Sequence, residues 1–174
     1  MIVRRSGVIL AAVAMASALT AVSVLAHPMD RSGGAGSTDD WPDEHLLCKP
    51  EDCNTEISSG NVVGVWQVIL WAEDLLADCG GTGVDGIFGS TTKTQTIAWQ
   101  QAFGIGADGK VGQTTWGTAD NRTFEPDGKT VIYDAMRTTK SVEFYLPAPG
   151  TVYQVGWKGA FVNTDHFDRS IDRC

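Results

Sequence analysis

The sequence VDGIFGSTT, residues 84–92, recurs 23 positions later as ADGKVGQTT, residues 107–115. Both copies contain Asp-Gly, two residues, Gly, two residues and Thr. Asp-Gly favours a tight turn, because glycine accepts positive φ and the Asp side chain can bond nearby backbone N–H groups. Each copy lies just before a stretch with helical periodicity. The repeated pattern therefore predicts a turn that starts a helix, used twice.

Three helices are expected around these turns. Apolar residues recur every three or four positions over residues 62–76, and Gly80-Gly81 is expected to end that helix. A second helix is predicted from about residue 90 to 103, closed by Gly104. Its inner face would consist of Thr92, Thr96, Trp99 and Phe103. A third, short helix is expected to begin near residue 113.

The periodicity changes to two after about residue 123. Four β-branched and aromatic segments alternate between two faces and are separated by Pro- and Gly-rich turns: Thr130–Tyr133, Ser141–Leu146, Thr151–Trp157 and Gly159–Val162. They predict an antiparallel meander of three or four strands. The expected fold class is therefore α+β, with a small three-helix domain followed by a small β meander.

The N-terminus has the features of a signal peptide. Arg4 and Arg5 precede an apolar run over residues 8–25, and small residues allow cleavage after Ala26. A membrane anchor is the alternative, but the run is marginal in length for a span. We expect no stable membrane span after cleavage, and a secreted, extracellular or cell-wall-associated protein.

The predicted organisation has four parts. The signal peptide covers residues 1–26, and a flexible, Gly-, Ser- and Pro-containing lead-in covers residues 27–57. The three-helix domain would span residues 58–120, and a C-terminal β appendage would span residues 121–174.

Charge limits the classes of partner. The chain has 13 basic and 21 acidic residues, and its formal net charge is −8. Loss of Arg4 and Arg5 with the signal peptide would make it −10. Such an acidic chain lacks the basic surface expected of a nucleic-acid-binding protein. Recognition must rest on short-range contacts.

The four cysteines, Cys48, Cys53, Cys79 and Cys174, all lie in the part predicted to be exported. An even number of cysteines in such a chain predicts two disulfides, and the sequence leaves three pairings open. Zinc is disfavoured, because the spacings contain no Cys-x-x-Cys and no histidine follows at ligand distance.

The wider pattern resembles the peptidoglycan-binding domain of secreted bacterial cell-wall proteins over residues 63–119. It includes Val63-x-x-Trp66-Gln67-x-x-Leu70, both Asp-Gly loops, Trp99-Gln100-x-x-x-Gly104 and the closing Thr115-Trp116. Several positions depart from the family pattern. Trp66 stands where the family usually has Leu, Thr96 where it prefers an aliphatic residue, and Gln95 where it prefers Ala. Ser90 and Gln113 replace a frequent Pro at the helix starts, and the stretch over residues 77–83 before the first loop is long.

The resemblance implies a three-helix module that binds peptidoglycan without forming a covalent bond. The ligand would be the glycan or the peptide stem, and the sequence does not choose between them. The resemblance places the site beside the loops and the second helix. The candidate ligand-binding residues are Asp85, Gly86, Gln100, Asp108, Gly109 and Thr115.

Catalytic and cofactor motifs are weak. Ser90-x-x-Lys93 matches a nucleophile motif, but the companion Ser-Asp-Asn and Lys-Thr-Gly elements are absent from the sequence. The loops carry too few acids for an EF-hand, and the sequence has no nucleotide-binding glycine motif. We expect no cofactor, no metal and no enzymatic activity.

The expected function is an exported, non-catalytic protein that binds peptidoglycan. Two alternatives stay open. The protein could be a cell-wall hydrolase or accessory whose β region is catalytic. It could also be an exported protein–protein interaction module that uses the three-helix unit as a scaffold.

Overall fold

The computed structural model describes residues 41, 46–53, 57–78, 83–145, 154–157 and 160–163 of the 174-residue chain. The predicted signal peptide, most of the predicted lead-in, Gly80-Gly81, Cys79 and Cys174 lie outside the described residues.

Three helices precede a sheet, which confirms the α+β fold. The helices are α1 (Asn61–Ala72), α2 (Ser90–Ala102) and α3 (Gln113–Asp120), and a short 3-10 turn covers Pro50–Asp52. The strands are β1 (Thr123–Phe124), β2 (Thr130–Asp134), β3 (Ser141–Tyr145), β4 (Gln154–Trp157) and β5 (Ala160–Asn163). They form one antiparallel sheet in chain order, and the meander is extended by the two-residue strand β1.

Helix α1 is the centre of the molecule. Every residue from 61 to 70 is buried, so the helix is covered all round and does not present only one apolar face. Its surroundings include the other helices and the inner face of the sheet, which contribute to a single core cluster. The predicted β appendage is therefore packed into the same core as the helices.

The first helix ends at Ala72, before the Gly80-Gly81 pair that was expected to end it. Asp74 adopts a left-handed conformation with φ 57°, its N–H donates to the Trp71 carbonyl, and the Leu75 N–H donates to the Leu70 carbonyl. These two bonds form a Schellman motif, in which a left-handed residue stops the helix and the next residue packs back on it. Leu75 is apolar because it packs back on helix α1. The helical periodicity of the sequence therefore continues past the point where the helix ends.

Alternation in the sheet is regular where side chains are described. Val131 and Tyr133 of β2 are buried, as are Val142 and Phe144 of β3, while the residues between them are more exposed. Val155 of β4 pairs with Phe144 and is also buried. The inner face of the sheet therefore closes the core over α1.

Indole rings fill the space between the helices and the sheet. Trp66 makes edge-to-face contacts with Trp99 and Trp116 at centroid distances of 5.1 and 5.5 Å. Trp41 bridges Trp116 and Phe144 at 6.1 and 5.0 Å. Edge-to-face pairs at such distances add to the energy of burial.

The described residues before α1 make contacts with the core and with both loops. Trp41 and Leu47 are buried, and Leu47 exchanges two backbone hydrogen bonds with Val111 in the second Asp-Gly loop. Around the first loop, Phe88 N donates to Ser58 O and Gly60 N donates to Gly86 O. These backbone pairs join the described residues before α1 to both loops, and composition alone does not reveal them.

A buried carboxylate joins α1 to the sheet. Glu73, at the end of α1, is fully buried and accepts a hydrogen bond of 2.6 Å from the Tyr133 hydroxyl. It also accepts 3.0 Å bonds from the Met136 and Arg137 N–H groups in the turn between β2 and β3. Burial first, and then the bond to Glu73, raise the pKa of Tyr133 well above its ordinary value.

Candidate functional site

The first Asp-Gly loop is organised by the buried side chain of Gln67 in α1. Its Nε2 donates to Asp85 Oδ1 at 2.8 Å, the Ile87 carbonyl at 3.0 Å and Thr92 Oγ1 at 3.0 Å. Its Oε1 accepts from the N–H groups of Asp85 and Gly86 at 3.0 and 2.7 Å. One amide therefore ties the turn to the helix that follows it.

The second loop repeats this arrangement around Gln100 of α2. Gln100 Nε2 donates to Asp108 Oδ1 at 3.1 Å, the Lys110 carbonyl at 2.8 Å and Thr115 Oγ1 at 3.0 Å. Its Oε1 accepts from the Gly109 N–H at 2.9 Å. The sequence repeat is thus a repeat of one hydrogen-bond network, and we call the two glutamines hub glutamines.

The hub arrangement explains the residue types at the repeated positions. Gly86 and Gly109 have φ of 68° and 73°, in the left-handed region that glycine tolerates. A Cβ on Gly109 would also lie 2.9 Å from Lys93 Cγ. The backbone N–H groups facing Oε1 only donate, which fixes the orientation of each glutamine amide.

The predicted site residues fall into two groups. Asp85 and Gly86 lie in the first loop, and Gln100, Asp108, Gly109 and Thr115 are brought together in the second. In both groups the polar atoms named above bond to other atoms of the same loop network. Their contact with a ligand stays a prediction. Each of them has an observed structural role.

Two members of the network, Gln67 and Thr92, were not among the predicted site residues. The signal for them was present in the sequence, because they occupy the positions of Gln100 and Thr115 in the other copy of the repeat. The equivalence of Gln67 and Gln100 is difficult to recognise because the two residues lie at different distances from their loops. Gln67 lies 18 residues before its Asp, whereas Gln100 lies eight residues before its Asp.

A cavity of about 300 Å³ lies beside the second loop. Its lining combines polar and apolar surface and consists of Leu46, Gln100, Gly106, Asp108, Lys110, Gly112, Gln113, Thr114 and Thr115. The volume is at the lower end of the range for small-molecule sites. Four of the lining residues, at positions 112–115, form the entry to α3.

A segment closed by a disulfide contacts Lys110, one of the residues that line the cavity. Cys48 and Cys53 are bonded, and the 3-10 turn between them carries Asp52. The Asp52 carboxylate accepts a 2.8 Å hydrogen bond from the Lys93 ammonium, which holds the pKa of that carboxyl below its usual range. Its carbonyl accepts a 3.1 Å bond from the Lys110 ammonium.

The buried aromatic rings are not available to a ligand. Trp66, Trp99 and Trp116 are all fully buried, and so is Phe88 of the first loop. The aromatic residues that identify the sequence pattern therefore build the core. Recognition at the cavity would use hydrogen bonds and the aliphatic side chain of Leu46.

Comparison with protein families agrees with this geometry. Residues 67–118 match the family described as "Putative peptidoglycan binding domain". Residues 67–118 are thus similar to the peptidoglycan-binding domain family. The matched segment begins at one hub glutamine and contains the other, both loops, helix α2 and most of helix α3. It covers 52 residues, less than a third of the chain.

Searches of curated proteins and of solved structures gave no match to the chain. The sheet and the disulfide-closed segment lie outside the matched residues 67–118. Within the described ranges, no group of three or more His, Cys, Asp or Glu side chains is arranged to hold a metal ion. In the same part of the chain, no helix has the length and apolarity needed to cross a bilayer.

Proposed function

We propose that the protein is exported, lacks catalytic activity and binds bacterial peptidoglycan through the cavity beside the second loop. The family match of residues 67–118 supports peptidoglycan as the partner. The observation that carries the assignment of the site is the polar cavity at the entry to α3, inside that segment.

The cavity's chemistry suits wall fragments. Gln113 and Thr114 are exposed side chains with donors and acceptors, and Leu46 supplies an apolar surface at the rim. Acetamido groups of the sugars and amides of the peptide stem need such hydrogen-bond partners. The hub glutamine fixes the loop from within, so the site is formed before ligand binds, which reduces the entropic cost of binding.

Export is supported by two features. The N-terminal Arg pair and apolar run are typical of a signal peptide. The Cys48–Cys53 disulfide is compatible with an oxidising, extracellular compartment. The function proposed for the protein is to stay associated with the wall after export.

The test is a pull-down on purified sacculi with a variant that fills the cavity. Thr114→Trp places a bulky ring in the cavity wall, and we expect binding to fall by about tenfold or more. Thr91→Trp is the matched control, because Thr91 occupies the corresponding position in the first copy of the repeat. Thermal unfolding of both variants checks that the fold is retained.

Two outcomes would contradict the proposal. Recovery of all wild-type protein in the supernatant at physiological salt would contradict the proposal that the protein binds peptidoglycan. Equal loss of binding in Thr114→Trp and Thr91→Trp would contradict the assignment of the binding site to the cavity. The absence of catalysis is tested separately by zymography on murein, where a clearing band would show hydrolase activity.

A further inference from the structure

The two loops differ most at the residue that follows the positive-φ glycine. In the first loop this residue is Ile87, whose side chain is 43% exposed. In the second loop it is Lys110, which lines the cavity. The backbone carbonyl of each accepts a hydrogen bond from its hub glutamine, so the two positions are structurally equivalent. One loop therefore presents an aliphatic group and the other a cation.

The ammonium of Lys110 keeps hydrogen-bonding capacity. It carries three N–H donors, and one bond goes to the Asp52 carbonyl at 3.1 Å. The Asp52 carboxylate is bonded to Lys93. Among the described residues, the ion pairs include none in which Lys110 lies within 4.0 Å of a carboxylate oxygen. Lys110 therefore brings a positive charge to this side of the cavity, and within the described ranges its ammonium bonds to the Asp52 carbonyl and to no carboxylate.

The disulfide-closed segment sets the position of this charge. The bond between Cys48 and Cys53 restricts the turn that carries Asp52, and Leu47 pairs with Val111, the residue after Lys110. Leu46 lines the cavity, and its Cδ1 would lie 3.3 Å from a Cβ placed on Gly112. Leu46, which lies upstream of residues 67–118, thus contributes to the cavity lining beside Gly112.

One acid also faces the cavity. Asp108 lines it, but its Oδ1 already accepts hydrogen bonds from Gln100 Nε2 and from the Lys110 N–H. A ligand carboxylate would be repelled on the Asp108 side and attracted on the Lys110 side. Asp108 and Lys110 therefore favour an anionic ligand that is oriented with its carboxylate toward Lys110.

We infer that this cavity selects the peptide stem of the wall over its glycan, with Lys110 as the specificity-determining residue that binds a stem carboxylate. The inference rests on the proposed function. Peptide stems carry carboxylates, whereas chains of N-acetylglucosamine are neutral. An ammonium with no carboxylate partner among the described residues therefore discriminates between them. A charge-assisted hydrogen bond is stronger than a neutral one and responds to salt where it is partly exposed.

The experiment uses the protein produced from the full chain and three soluble probes. These are a muropeptide, the same muropeptide with its carboxylates converted to carboxamides, and an oligomer of N-acetylglucosamine. Calorimetric titration of the wild type should show binding to the muropeptide that is about tenfold tighter than binding to the amidated form. Binding of the neutral glycan should be weaker still.

The variants separate charge from fold. Lys110→Met keeps the length of the side chain and should lose the preference for the unmodified muropeptide, together with its salt dependence. Lys129→Met is the matched control, because Lys129 also follows Asp-Gly but lies in the turn before β2, and it should bind like the wild type.

The outcomes separate the inference from the proposed function. Equal affinity of the wild type for free and amidated muropeptide, or an unchanged preference in Lys110→Met, would overturn the inference and leave peptidoglycan binding standing. Stronger binding of the neutral glycan would assign the cavity to sugars. No binding of any probe, with no retention on sacculi, would overturn both.

Discussion

At the scale of single residues, a hydrogen bond between Trp66 and Thr96 accounts for two of the departures from the family pattern. The Trp66 indole N–H donates to Thr96 Oγ1 at 2.8 Å in the core, and Thr96 Oγ1 donates to the Thr92 carbonyl at 2.8 Å. A buried indole N–H without an acceptor would be costly. An aliphatic residue at position 96 would leave the Trp66 indole N–H without this acceptor. The two unusual residues therefore depend on each other.

A double-mutant cycle tests this dependence. Thr96→Val keeps the shape of the side chain and removes the acceptor, so we expect the free energy of unfolding to fall by about 2 kcal/mol. In a Trp66→Leu background the same change should be close to neutral, giving a coupling energy of about 1–2 kcal/mol in urea unfolding.

The control for this cycle lies in the same helix. Thr94 makes the same type of bond to the carbonyl four residues earlier, Ser90, but is exposed and has no indole donor. Thr94→Val should change stability by no more than about 0.5 kcal/mol. A similar cost for Thr96→Val in both backgrounds would show that the indole bond is not what selects threonine.

At the scale of structural elements, the hub glutamine distinguishes these loops from an ordinary Asp-Gly turn. A third Asp-Gly turn precedes β2, and Gly128 has φ 73° there. Asp127 Oδ1 accepts from the N–H groups of Lys129 and Thr130 at 2.9 and 2.7 Å, which lowers its pKa. This turn leads into a strand. The glycine and aspartate shape the turn, and the glutamine ties it to the next helix.

Replacement of a hub glutamine should therefore lower the free energy of unfolding by much more than replacement of an exposed glutamine. Gln67→Leu leaves the N–H groups of Asp85 and Gly86 without their acceptor in a buried site, and we expect a loss of about 3 kcal/mol in unfolding free energy. Gln101→Leu is the control, because Gln101 is exposed on α2. It should stay within about 0.5 kcal/mol of the wild type. Equal losses would contradict the hub role.

The limits of sequence reasoning follow from these elements. The start of α2 and its closure at Gly104 were predictable, because glycine marks both places. The end of α1 was not, since an aspartate takes the left-handed position that glycine usually fills. For the candidate site, the repeat identified the residues of the loops, but their partners are fixed by long-range bonds. The pattern alone does not show that Gln100 faces its own loop.

At the scale of the whole molecule, the buried carboxylate of Glu73 connects the helical part to the sheet. Around it, Thr138 Oγ1 donates to the Ala72 carbonyl at 2.6 Å, and Lys140 donates to the Trp71 carbonyl at 3.2 Å. The turn between β2 and β3 therefore caps the end of α1. Residues 58–120 and the sheet share one core, so cutting the chain after Asn121 would expose the helical part.

This connection predicts a loss of stability in alkali. The pKa of Tyr133 is raised in the folded protein, so its contribution is fully present below the unfolded pKa of about 10 and declines as the pH rises above that value. We expect the unfolding free energy to fall by up to about 1.4 kcal/mol per pH unit there because of this one group. Urea unfolding between about pH 8 and 11.5 measures the slope.

Tyr133→Phe serves as the comparison for the alkaline loss. The variant loses the bond to Glu73 and should be less stable near neutral pH, but its stability should fall less steeply above pH 10. All other ionisable groups are the same in the two proteins. Parallel slopes would contradict the assignment of the alkaline loss to Tyr133.

The inward-facing amides have an evolutionary consequence. Since each loop is held from inside, the outward residue at positions 87 and 110 can diverge without loss of shape, and isoleucine stands in one copy and lysine in the other. A duplicated loop of this kind supplies one copy that preserves the architecture and a second that is open to selection for a new contact. Recognition can then change by single substitutions on a scaffold that does not need to be redesigned.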